Sequence, residues 1–202
     1  MRIAALLLLA ATSLAGCNAQ PDGSNVAAPE NAAVEKPGSL ADAFSDPTAT
    51  VTRLNQFGYR LGAYENGPNG FTAVGEPVFL SQSDAKNPNR GTVELSGKDG
   101  AAIDTIVFAL TVTDDANADT AKKRLTDNVR AFLFQYGVKD EGALDAIAKE
   151  QDANGPIGNS PAAIAADKDA GNTGTPRRIT VTFTRPTVTA PAEAAVQNTQ
   201  QP

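Results

Sequence analysis

Few side chains in this chain could do chemistry, and most of those are carboxylates. Glu65, Glu76 and Glu94 lie in or beside segments with strand periodicity and turn residues. Two such acids in a cleft, roughly 5 to 10 Å apart and one with a raised pKa, can hydrolyse a glycoside between them. Asp167, Asp169 and Asn172 are spaced in a way similar to a calcium loop, but the glycine comes one place too early and no glutamate closes the loop. There is one cysteine, Cys17, and no histidine among the 202 residues. That absence removes Ser-His-Asp and Cys-His catalysis, histidine-held zinc and histidine-held haem. A single thiol also excludes a CxxC redox pair and any disulfide within the chain.

Cys17 has a telling context. A charged start, Met1-Arg2, leads into an apolar run from Ile3 to Ala11, and Leu14-Ala15-Gly16-Cys17 follows. The run is too short to span a bilayer, which takes roughly 20 apolar residues. A positive end, a short apolar stretch and small residues at a cut make a secretory signal. The four residues at its end resemble the lipobox of bacterial lipoproteins. That resemblance, confined to the first 17 residues, implies loss of residues 1–16 and a diacylglyceryl group in thioether linkage on Cys17, usually with an acylated amine. Each buried methylene contributes about 0.8 kcal/mol, so one acyl chain holds marginally and two or three hold firmly. Asn18 stands where familiar enterobacterial lipoproteins kept in the inner membrane carry aspartate, so the resemblance favours the outer membrane, facing the periplasm.

Charge narrows the partners. The whole chain has 17 basic and 23 acidic residues; without Arg2 the remainder has 16 and 23, seven charges negative. Such a surface repels nucleic acid and anionic headgroups. Lys122-Lys123-Arg124 and Arg177-Arg178 are short clusters that read as solvated faces. Aromatic residues are 5% and tryptophan is absent, which argues against a platform that stacks on sugars. The expected partners are therefore the membrane, through the lipid on Cys17, and an envelope protein or peptide. No cofactor or metal is expected.

The elements that would position a site follow from periodicity. Residues 17–50, with Pro21, Pro29, Pro37 and Pro47 and few bulky side chains, read as a disordered tether with a reach on the order of 30 Å; Ala41-Asp42-Ala43-Phe44 could form a helical turn. A globular domain is expected over 51–186 and a disordered tail over 187–202. Phe57, Tyr59 and Leu61 alternate as in a strand, Glu65 to Gly70 is turn chemistry, and Phe71 to Val74 should return antiparallel. Val78-Phe79-Leu80 follows, then a loop. Val93 and Leu95 share a face of the next strand, and Ile106, Phe108, Leu110 and Val112 mark the central one. Ala121, Leu125, Val129, Phe132, Leu133 and Tyr136 form the apolar stripe of a helix, with Lys122 away from it, Gly137 as its stop and Phe134 read as core. A shorter helix uses Leu144 and Ile147. Ser160-Pro161 predicts another helix start. Arg178 to Thr184 closes the sheet, with Ile179, Val181 and Phe183 inward and threonines toward water.

This order predicts an α+β fold: one domain, a mainly antiparallel sheet with two helices on one face, the alternative being a division near Asn89. The function it supports is a non-catalytic envelope binding module working through a sheet edge or the loop Glu65 to Gly70. A carboxylate-dependent envelope hydrolase is the alternative, and an inhibitor or immunity lipoprotein is a third.

Overall fold

In the computed structural model, which describes residues 38–81, 87–167 and 176–187, the sheet strands are β1 (Glu65–Gly67), β2 (Gly70–Val74), β3 (Val78–Phe79), β4 (Arg90–Gly97), β5 (Thr105–Val112), β6 (Ala153–Ile157), β7 (Ser160–Ala166) and β8 (Arg177–Thr184). The helices are α1 (Ala41–Ser45), α2 (Pro47–Asn55), α3 (Ala118–Phe134) and α4 (Asp145–Lys149). Residues 1–37, including Cys17, and those beyond Thr187 lie outside the described residues, as do Asp169 and Asn172.

All pairings are antiparallel, in the order β1-β2-β4-β5-β8-β7-β6, with β3 beside β2 on the same edge of β4. The strongest period-two segment of the chain, β5, sits in the middle. Its Phe108 is fully buried, with the rings of Phe132 at 5.4 Å and of Tyr59 and Phe183 at 6.3 Å. Val93 and Leu95 of β4 and Ile179, Val181 and Phe183 of β8 lie on the same face. The helices cover that face as one layer, so the fold is the two-layer α+β arrangement the sequence predicts. A domain boundary near Asn89 does not occur. Asn89 is buried and stitches the chain instead, accepting from the N–H groups of Thr113 and Asp114 and donating to the Asp114 carbonyl.

The helix α3 buries Leu125, Val129, Phe132 and Leu133, each worth roughly 1.5 to 3 kcal/mol against exposure. Gly137, at φ +67°, ends it as expected: the Val138 N–H reaches back to the Leu133 carbonyl and the Gly137 N–H to that of Phe134. Two expectations on this helix need correcting. Phe134 is 81% exposed. Lys122 is buried and faces the end of α4, where Glu150 takes its charge.

Ordered structure begins earlier in the chain than Val51, where it was expected. Leu40, Ala43, Phe44 and Leu54 belong to the core, so order extends back to at least residue 38. Asp46 caps α2 by accepting from the Ala49 N–H, and Pro47 fills the first turn where no donor is needed. Gly38 lies against Gly137 so closely that a Cβ there would sit 1.9 Å from the Gly137 carbonyl oxygen. The expected strand over Phe57 to Leu61 is irregular backbone: Tyr59 and Leu61 are buried, but the Asn55 side chain both accepts from the Leu61 N–H and donates to its carbonyl, doing the work of a partner strand. The first hairpin is β1 with β2, turning at Pro68-Asn69.

Ser160-Pro161 does not start a helix. It opens β7, which pairs with β6 on one side and β8 on the other. Gly158 (φ +55°) and Asn159 (φ +65°) form the connection, and two central residues of positive φ make the hairpin turn whose twist suits the strands. The Ser160 hydroxyl is buried without a hydrogen bond in place of the cap it was expected to make.

Candidate functional site

The second face of the sheet has no layer over it among the described residues. Register places Thr92, Glu94 and Ser96 of β4, Thr105, Val107, Ala109 and Thr111 of β5, and Thr180, Thr182 and Thr184 of β8 on that face. It has a hydroxyl row, Thr72, Ser96, Thr105 and Thr184, running across four strands. Val74 is paired with Glu94 and Phe79 with Arg90, so both stand on this face, 59% and 57% exposed. Of the large apolar side chains left exposed among the described residues, the third is Phe134 on α3. Three shallow hollows, of about 410, 330 and 570 Å³, open along the face and its rim.

The edges offer less. The strand β1 is three residues long. On the other side Pro156 of β6 stands opposite Pro161 of β7. Neither has an N–H, so this pair exchanges no backbone bonds and Pro156 turns its carbonyl, but no donor, toward the outside. An incoming strand meets a broken ladder there.

The three glutamates do not come together. Glu65 lies on the edge strand, Glu94 lies two strands in, and Glu76, on the bend between β2 and β3, pairs with Arg60 at 3.2 Å. Each is exposed, and none lines the three hollows. Among the described residues no three of His, Cys, Asp and Glu gather in a way that could hold a metal ion. No described helix is long and apolar enough to cross a membrane.

The densest group of charges is structural. Lys122 bonds Asp119 at 2.8 Å and Glu150 at 3.0 Å, and Glu150 bonds Arg177 at 2.6 Å, which also reaches Asp115. Glu150 adopts a left-handed backbone (φ +48°) at the end of α4, uncommon for a residue with a Cβ. It ties α3, α4 and β8 together. Burial alone would lower the Lys122 pKa, but the hydrogen bonds and charges of Asp119 and Glu150 outweigh it and the net direction is upward. Across the helix layer, the fork of Arg130 grips Asp140 with two hydrogen bonds and holds that carboxyl below its usual range. Burial pushes the Tyr59 and Tyr136 hydroxyls up, and both are engaged, with Asn128 and Thr50.

Positive charge stands at both ends of the open face: Lys98 and Arg185 line the hollow beside Thr184, and two arginines lie at the other end. Arg90 and Arg178 flank Thr111 in one cross-strand row. The Arg90 guanidinium lies 5.7 Å from the Phe79 ring centroid. The sequence marks Arg178 only as half of a solvated Arg177-Arg178 pair and does not mark Arg90 at all, because membership of this row follows from register, which no local pattern states. Comparison with protein-family models, with curated proteins and with solved structures finds no match.

Proposed function

We propose that this chain is a lipid-anchored protein of the bacterial cell envelope, on the outer membrane facing the periplasm, whose folded domain is a non-catalytic module that binds an envelope protein or peptide. The anchor reading rests on Leu14-Ala15-Gly16-Cys17 behind a charged and apolar start. The binding reading is carried by the uncovered sheet face, where Val74, Phe79 and the hollows are found. The sheet edges, short on one side and proline-broken on the other, favour that face over strand addition.

Two measurements test this. Mass spectrometry of native protein should find diacylglycerol on Cys17, and a bare thiol there would remove the anchor. A photocrosslinker placed at Val74 or Phe79 should capture one discrete partner in intact envelopes, while the same probe at Lys123, on α3, should not. Equal capture from both sites would remove the binding face.

A further inference from the structure

The chain enters the described domain at Gly38, packed on Gly137 just past the end of α3. The Ile103 N–H donates to the Phe44 carbonyl, so this entry lies at the end of the sheet where β5 begins. The row of Arg90, Thr111 and Arg178 lies at the other end, near the finish of β5. The row and the entry of the chain at Gly38 thus lie at opposite ends of the sheet.

The row has the parts of an anion site. A hollow of about 330 Å³ is walled by Pro77 and Pro88, and Arg90, Thr92 and Thr111 face into it. That volume is at the small end of ligand pockets. Thr113, also in the wall, already shares its one hydroxyl hydrogen between the Asn87 and Pro88 carbonyls. Arg60, Arg130, Arg177 and Arg185 each hold a carboxylate, whereas Arg90 forms no ion pair among the described residues and rests over Phe79. The nearest acid on its own strand face, Glu94, is four residues along, about 13 Å by strand geometry, beyond a screening length of about 8 Å. Asp167 follows β7 opposite Arg178 and offsets that charge in part, which puts the weight of the site on Arg90.

We propose that the Arg90 end of the open face binds an acidic peptide segment of a partner protein, with the Arg90 guanidinium forked onto a carboxylate and the Thr92 and Thr111 hydroxyls completing its hydrogen bonds. This names the partner chemistry of the interaction surface proposed above and rests on that reading. Phe79 holds the guanidinium in place and offers an apolar surface to the segment's neighbouring side chains.

The test is fluorescence anisotropy of a labelled peptide of alternating Glu and Ala, titrated with the full chain in non-ionic detergent, beside a Gln-Ala peptide. Saturable binding that weakens with added salt is expected, about tenfold weaker for the Gln peptide and for Arg90→Gln. Arg90→Lys should fall between, and Arg124→Gln, on α3, should bind as the unaltered chain. Should Arg90→Gln fail to fold, Thr111→Val probes the same hollow and should weaken binding severalfold. No saturable binding, equal binding of both peptides, or full binding by the Arg90 and Thr111 variants overturns the proposal. So does a site that takes inorganic phosphate, titrated alone, while the acidic peptide stays free. A partner crosslinked at Val74 together with a failed peptide titration would overturn this inference alone and leave the binding-module reading standing.

Discussion

The two faces of β5 share one backbone and one set of ladder bonds, yet they carry different obligations. Ile106, Phe108, Leu110 and Val112 are all buried beneath α3, and Phe108 meets three aromatic rings. Thr105, Val107 and Thr111 on the reverse are only half-buried, although Ala109 is covered by its neighbours. Side chains on the first face are fixed by volume, since an interior packed at crystal density registers even a single methylene. On the second face, pleat and solubility are the main constraints, so identity there is free to serve recognition. Residues bound by packing and residues free of it are thus separated by alternation along the same strands.

The sharpest way to break that contrast is to cut the covered face. Phe108→Ala should cost about 3 to 5 kcal/mol and lower the melting temperature by on the order of 10 °C or more; a calorimetric shift of a degree or two would mean that the core is not centred there. Next comes the seam at the end of the layers. Glu150→Gln leaves Lys122, whose side chain is 10% exposed, without its best-buried partner, and should cost about 1 to 3 kcal/mol by denaturant unfolding. Because the Lys122 pKa is raised on folding, its contribution is complete below the ordinary lysine value near 10.5 and fades as pH climbs through the raised one. The Glu150→Gln variant should therefore lose less than the parent chain between neutral and strongly alkaline pH.

A smaller effect belongs to the helix layer at low pH. The Asp140 pKa is depressed, chiefly by its hydrogen bonds to Arg130, so the stability it lends is present above its ordinary value near 3.8 and vanishes as pH falls through the lowered one. Melting curves below about pH 4 should be shallower in pH for Asp140→Asn than for the parent chain; parallel curves would show that the fork carries no linkage. Least of all should the open face respond. Thr182→Val should stay within about 0.5 kcal/mol. If it cost as much as Phe108→Ala, that face would be covered in solution and the contrast would be gone.

Periodicity revealed much of this arrangement: β4, β5, α3 and β8 lie where alternation or a 3.6-residue repeat places them, and β5 is central. Two dipeptides show where local signals stop. Ser160-Pro161, followed by four alanines around Ile164, reads as a capped helix and is a strand. Asp46-Pro47, followed by Thr48 and Thr50, reads as tether and opens a helix. Propensity points the wrong way in both cases. The Gly158-Asn159 turn folds β7 back along β6, and the other edge of β7 pairs with β8. Asp46 truly caps, while Leu54 and the Thr50 hydroxyl, which donates to the Ala43 carbonyl, fasten α2 to the core. The Arg90 row stayed hidden for a related reason. Phe79 and Arg90 are eleven residues apart in the chain, with a loop between them, and only the β3–β4 register sets them on one face.

The facing prolines of the β6–β7 hairpin carry a consequence for crowding. Proteins held in a thin layer meet each other at high local concentration, and bare strand margins under those conditions can zip into fibres. A margin that lacks donors at Pro156 cannot propagate such a zipper. Copies of this domain at high concentration therefore meet a blocked margin on that side of the sheet.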